Sequence, residues 1–136
     1  MEYCKYNKAT IRKHHGARGV KAAEDFRGVL EHMRTLSHGL LYRVVAFPGG
    51  KVVVHARYTS GAEWTRVYKD EDGGKITECY HICGSGEMPP ITAGMFAALH
   101  QCAEVAEDYG VSLVAEFTFL TGKLFRLKLG ECYYEL

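Results

Sequence analysis

Two runs of β-branched and aromatic residues dominate the middle of the chain. They are Leu40-Leu41-Tyr42-Arg43-Val44-Val45-Ala46-Phe47 and Lys51-Val52-Val53-Val54-His55-Ala56-Arg57-Tyr58, separated by Pro48-Gly49-Gly50. That pattern predicts a β-hairpin: glycine takes the positive φ a tight turn needs, and proline presets its entry. Residues 62–68 and 75–83 alternate in the same way, across a turn at Thr59-Ser60-Gly61 and an acidic, glycine-ended loop over 69–74. Four consecutive strands with short links predict an antiparallel meander. Residues 111–119 and 123–129 form a second hairpin pattern around Thr121-Gly122, and residues 132–134 can add a short strand.

A period of three and four residues marks two helices. Over 19–36 the apolar stripe is Phe26, Val29, Leu30, Met33 and Leu36, and Ser37-His38-Gly39 supplies a stop. Over 92–109 the stripe is Met95, Ala98, Leu99, Cys102, Val105, Ala106 and Tyr109, closed by Gly110. Residues 1–17 lack a clean period and read as a basic arm or irregular lead-in, with a short strand near 3–6. The expected fold is therefore α+β over a single domain of residues 1–136. A mainly antiparallel sheet of five to seven strands is packed by two helices mostly on one face, in the order helix, four-strand meander, helix, hairpin. The expected core draws Phe26, Leu30 and Met33 from the first helix and Leu99 and Val105 from the second. The sheet adds Val44, Val52, Val54, Ile82, Leu113, Phe117 and Leu127.

Composition changes this picture little. With 47% hydrophobic and 24% charged residues over 136 positions, disordered and coiled-coil classes are unexpected. No apolar run approaches the roughly 20 residues that span a bilayer. The opening Met1-Glu2-Tyr3-Cys4-Lys5 lacks the apolar core of a secretory leader, so a cytoplasmic location is expected. An odd number of cysteines, five, then reads as reduced thiols. The net charge is +1, but residues 1–21 carry six Lys or Arg against one Glu, whereas residues 84–122 carry five carboxylates and no Lys or Arg. That split offers complementary patches, and a homodimer is expected from it.

Candidate chemistry is sparse. Cys79, His81 and Cys83 alternate on one strand, which spaces their donors by about 6–7 Å along a flat ribbon. A tetrahedral metal needs converging ligands, so these are weak metal or thiol candidates, and no metal or cofactor is assigned. Gly84-Ser85-Gly86 lies between a strand and a helix, but Glu87, Pro89 and Pro90 follow it. A phosphate loop needs backbone donors and no carboxylate there. Lys8, Arg12, Lys13, His14, His15 and Arg18 could hold a nucleic-acid backbone, although the nearly neutral chain is unlike a dedicated binder.

The remaining candidate is a protein-binding surface. Arg43, His55 and Arg57 alternate along the first hairpin, and Trp64, Arg66 and Tyr68 follow in the next strand. Arginine with tryptophan and tyrosine is the composition of interface hot spots. The expected function is a non-catalytic protein-binding module, a small inhibitor or adaptor of the kind phages and mobile elements direct at a host complex. The alternatives are a nucleic-acid-binding accessory domain using the basic N-terminal residues, and a small enzyme or metal site around Cys79, His81 and Cys83. Another protein is the expected partner and no membrane is expected.

Overall fold

The computed structural model describes residues 3–36, 41–57, 63–71, 75–84, 93–118 and 121–136. It describes the backbone alone at positions 3, 35, 36, 57, 93 and 96 and throughout 63–71 and 75–84. Ten elements follow one another: β1 (Tyr3–Lys5), α1 (Lys8–Leu36), β2 (Leu41–Phe47), β3 (Lys51–Arg57), β4 (Glu63–Glu71), β5 (Lys75–Gly84), α2 (Ala93–Tyr109), β6 (Leu113–Phe117), β7 (Leu124–Leu129) and β8 (Cys132–Glu135). The α+β class and the order of helix, meander, helix and hairpin hold. The strands form one sheet in the order β1-β8-β7-β6-β2-β3-β4-β5. Eight strands exceed the expected five to seven because both chain ends join it: β8 extends the β6–β7 hairpin, and β1 pairs with β8 in the sheet's one parallel contact. Two antiparallel meanders, β2 to β5 and β6 to β8, meet where β2 pairs with β6.

The turn between β2 and β3 follows the expected chemistry, with Gly49 at φ 101° and Gly50 at φ 89°. Gly110, at φ 84°, ends α2 and donates its N–H to the Ala106 carbonyl at 2.8 Å, a left-handed C-terminal cap. β4 continues to Glu71, so part of the expected 69–74 loop is strand. The turn at 59–61, the loop end at 72–74, the stop at 37–39 and the connector at 85–90 lie outside the described residues.

The largest departure is at the N-terminus. Residues expected as an arm or irregular lead-in form β1 and the first part of α1. Asn7 caps the helix, its Oδ1 accepting the Thr10 N–H at 2.8 Å, which satisfies one of the orphan donors of the first turn. The helix is kinked at Gly16, whose φ of 72° and ψ of −174° belong to a region open essentially to glycine alone. The kink resets the helical phase, so the stripe of 19–36 does not extrapolate backwards. Ile11 is the one apolar side chain that the first segment buries completely.

Both helices pack on one face of the sheet. There Phe26, Leu30 and Met33 of α1 and Leu99, Cys102 and Ala106 of α2 meet Val44, Ala46, Val52, Val54, Leu113 and Leu127 in one cluster. No polar or charged side chain among the described residues is buried. Ten of the twelve expected core residues are buried there; Val105 packs half-buried against the cluster, and the side chain of Ile82 is not described.

Candidate functional site

The alternate positions of the same strands make an outer face, on which no described helix packs. Arg43, Val45 and Phe47 of β2 pair with His55, Val53 and Lys51 of β3. On the other side, Arg43 and Val45 pair with Glu116 and Val114 of β6, which pair in turn with Arg126 and Lys128 of β7. Arg126 and Lys128 then meet Glu135 and Tyr133 of β8. A valine row thus runs across the middle of the sheet, with charged and aromatic rows beside it. Val45 is 9% exposed and Val114 6%.

Two bulges enlarge this face. Leu41 pairs with Ala56 and Arg43 with His55, which leaves Tyr42 as an extra residue. Leu124 pairs with Phe117 and Arg126 with Glu116, which leaves Phe125 extra. An extra residue lets Leu41 and Leu124 stay buried in the core while an aromatic joins the arginine beside it on the outer face. Tyr42 packs its ring 5.6 Å from that of His55. Cations lie over rings in three further pairs: Lys51 over Phe47 at 5.1 Å, Arg126 over Phe125 at 5.1 Å and Lys128 over Tyr133 at 5.0 Å. Arg126 also bridges Glu116 and Glu135, at 3.6 Å each. Lys5, opposite Glu135 in the register, adds a further cation. The described side chains of these strands therefore present five cations, Lys5, Arg43, Lys51, Arg126 and Lys128, against two carboxylates, Glu116 and Glu135.

The residues expected to form one binding surface divide between two rows. Arg43 and His55 are cross-strand partners on the outer face. Trp64, Arg66 and Tyr68 are register partners of Ala56, Val54 and Val52, the core-face positions of β3, and Arg57 pairs with Glu63. The register thus brings Arg43 and His55 together and sets positions 64, 66 and 68 in the opposite row. Tyr42, Phe125, Arg126, Lys128 and Tyr133 were not legible as part of this face. A strict two-residue alternation assigns Tyr42 and Phe125 to the wrong side, and no sequence signal marks the bulges.

A third irregularity separates the cysteine–histidine trio. Thr65 pairs with Cys83 and Arg66 with His81, so Ile82 is extra. Positions 79 and 81 fall in the register rows of Tyr68 and Arg66, and position 83 in the row of Thr65 and His55. The alternation that placed all three on one strand face is broken there. Among the described residues, no group of three or more His, Cys, Asp or Glu side chains is placed to hold a metal ion. Cys102 is wholly buried, and burial pushes its thiol up to about 12. Its Sγ sits 3.6 Å from Met33 Sδ.

The six basic N-terminal residues do not make one solvated arm. Lys8 pairs with Glu24 at 3.1 Å. Arg18 donates to the Asp108 carbonyl at 2.7 Å and lies over the Tyr109 ring. His14 Nδ1 is 2.9 Å from the Tyr134 hydroxyl. His15 packs edge-on against Tyr109 and Tyr134, and burial and the neighbouring His14 hold its imidazole below the usual histidine range. Arg12 and Lys13 are exposed. Between the helices a shallow groove of about 490 Å³ is lined by Glu24, Asp25, Val29, His32, Glu104 and Val105 among others. Three of its four carboxylates are engaged: Glu24 with Lys8, Asp25 with Lys21 at 2.7 Å, and Glu104 with His100 Nε2 at 2.9 Å.

No described helix is long and apolar enough to cross a membrane. Compared with models of known protein families, with curated proteins and with solved structures, the chain matches none.

Proposed function

We propose that the protein is a non-catalytic binding module that docks onto an acidic protein surface through the outer face of its sheet, as a small inhibitor or adaptor does. One observation carries this reading: a valine row set among cation–aromatic pairs, with five cations against two carboxylates and no described helix over it. Val45 and Val114 are already covered, so the apolar gain on docking, about 25 cal/mol per Å² removed from water, would come from the half-buried Phe47, Val53, Phe125 and Tyr133 around them. The cations would steer an acidic partner and fix its register. Arginine, tyrosine and phenylalanine around an apolar centre match the composition of binding hot spots. Cys4, Cys102 and Cys132 are free thiols, in keeping with work in the reducing cytoplasm.

Nucleic-acid binding through α1 is the second reading, favoured by Arg12 and Lys13, which are exposed and carry no ion pair among the described residues. A tagged pull-down with and without nuclease separates the two. It is run on the natural chain, on Arg43→Glu with Lys128→Glu, and on Arg12→Glu with Lys13→Glu. The expected result is one stoichiometric acidic protein that survives nuclease, is lost with the sheet variant and is kept by the helix variant. Capture that persists with the sheet variant sinks the proposal. Capture that disappears with nuclease moves the site to α1.

A further inference from the structure

The kink in α1 is built around two histidines, an exposed His14 and a half-buried His15, and both lie against aromatic side chains distant in the chain. His14 and His15 end the first helical segment, and Gly16 turns the chain through a conformation reserved for glycine. His14 Nδ1 meets the Tyr134 hydroxyl at 2.9 Å, a hydrogen bond whose direction follows the imidazole tautomer. Tyr134 is fully buried on β8. The His15 ring lies 6.0 Å from the Tyr109 ring and 6.1 Å from the Tyr134 ring, at interplanar angles of 72° and 62°. The Tyr109 hydroxyl donates to the His15 carbonyl at 3.4 Å. His15 Nε2 is buried with no hydrogen-bond partner. Gly19 completes the fit: a Cβ there would run into the His15 side chain and come within 3.0 Å of the Tyr109 hydroxyl.

We propose that this corner is a proton-operated latch. With His15 neutral, the ring holds residues 3–15 against Tyr109 and Tyr134; protonation releases that segment and leaves β8 as the sheet edge. Burial and the neighbouring His14 both act in this direction. On α1 itself the neighbours are His14 and the Arg18 guanidinium, both cationic or able to become so. From α2 the facing groups are Tyr109 and Asp108. Asp108 gives its carbonyl to Arg18, and its carboxylate lies in the field of Lys21. From β8 and β1 come Tyr134, Cys132 and Cys4, which adjoin one another. A new imidazolium would thus be desolvated beside His14, with no acceptor at Nε2.

The sign follows from linkage. An imidazole held below its usual value takes up its proton less readily folded than released. Attachment is therefore strongest above the unperturbed histidine value of about 6.5 and weakens as pH falls through it. The held segment is light enough to respond. β1 contributes three residues to the sheet, and short edge elements with few buried apolar contacts open at low free energy. This latch does not depend on which partner the outer face binds.

Hydrogen–deuterium exchange of the full chain tests it, at about pH 7.5 and about pH 5.5 with correction for intrinsic rates, a window set by histidine chemistry. Protection over residues 8–15 should fall at the lower pH relative to residues 98–106 of α2, because the released segment takes up the His15 proton more readily than the attached one. His15→Phe keeps a ring against both tyrosines and removes the titration, and it should hold its protection at both pH values. An NMR titration of the His15 ring in the natural chain needs no variant, and its midpoint should coincide with the loss of protection. The latch is overturned by unchanged protection over 8–15, by an equal loss in His15→Phe, by loss across the whole chain together, or by a separate midpoint.

Discussion

The two faces of the sheet are built from the same strands, yet they are held by different physics. The described side chains of the inner face are apolar and covered by α1 and α2: Val44, Ala46, Val52, Leu113 and Leu127 are each fully buried in one cluster with the helices. The outer face has a valine row no wider than one residue per strand, and its surroundings are cation–aromatic pairs and a three-member ion-pair chain through Arg126. Burial of apolar surface is non-directional and large in sum. Exposed ion pairs and cation–ring contacts contribute little each. The comparison teaches that folding stability resides on the inner face and that the outer face is free to be selected for recognition.

Substitutions can break this comparison, and the largest effect belongs to the inner face. Phe26→Ala removes a completely buried ring from the centre of α1's contact with the sheet. It should cost about 3–5 kcal/mol by denaturant titration. A loss below about 1 kcal/mol, the level of a surface change, would mean that the helix is not a structural cover.

The kink comes next. Gly16→Ala meets no steric neighbour, so its whole effect is backbone strain, about 1–3 kcal/mol for a non-glycine residue in that region. Asn7→Ala removes the helix cap and should cost about 1 kcal/mol. Both losses should be visible first as local exchange over residues 8–15, ahead of global unfolding. If the segment were a solvated arm, neither substitution would change anything.

This hierarchy also explains what the sequence made legible. The core and the meander were readable because Phe26, Leu30, Met33 and the valines of 40–58 repeat with the periods of a helix and a strand, and those periods are what burial selects. The first segment of α1 was not, because its signals are one cap, Asn7, and one buried apolar residue, Ile11; its other supports are Tyr109 and Tyr134, about a hundred residues away in the chain. The outer face was half legible. Arg43 and His55 follow simple alternation, whereas Tyr42 and Phe125 owe their places to bulges, which are tertiary features with no local code. The same cause split Cys83 from His81. A single extra residue reverses every later assignment in a strand, so site predictions that rely on long alternation fail first.

The smallest effect on stability should come with the largest effect on binding. Arg126→Met removes the guanidinium that bridges Glu116 and Glu135 while keeping apolar bulk against Phe125. Because these pairs are partly exposed, the stability change should stay within about 1 kcal/mol. Salt should narrow the difference between the two proteins, as screening already weakens the natural pair. Partner capture should nonetheless fall sharply, because a central arginine beside an aromatic is the type of residue on which interfaces concentrate their affinity. A stability loss comparable to that of Phe26→Ala would instead make the outer face a second structural core, and recognition would have to be sought elsewhere on the molecule. Equal stability with undiminished capture would separate Arg126 from the proposed docking surface and leave Arg43 and Lys128 to carry it.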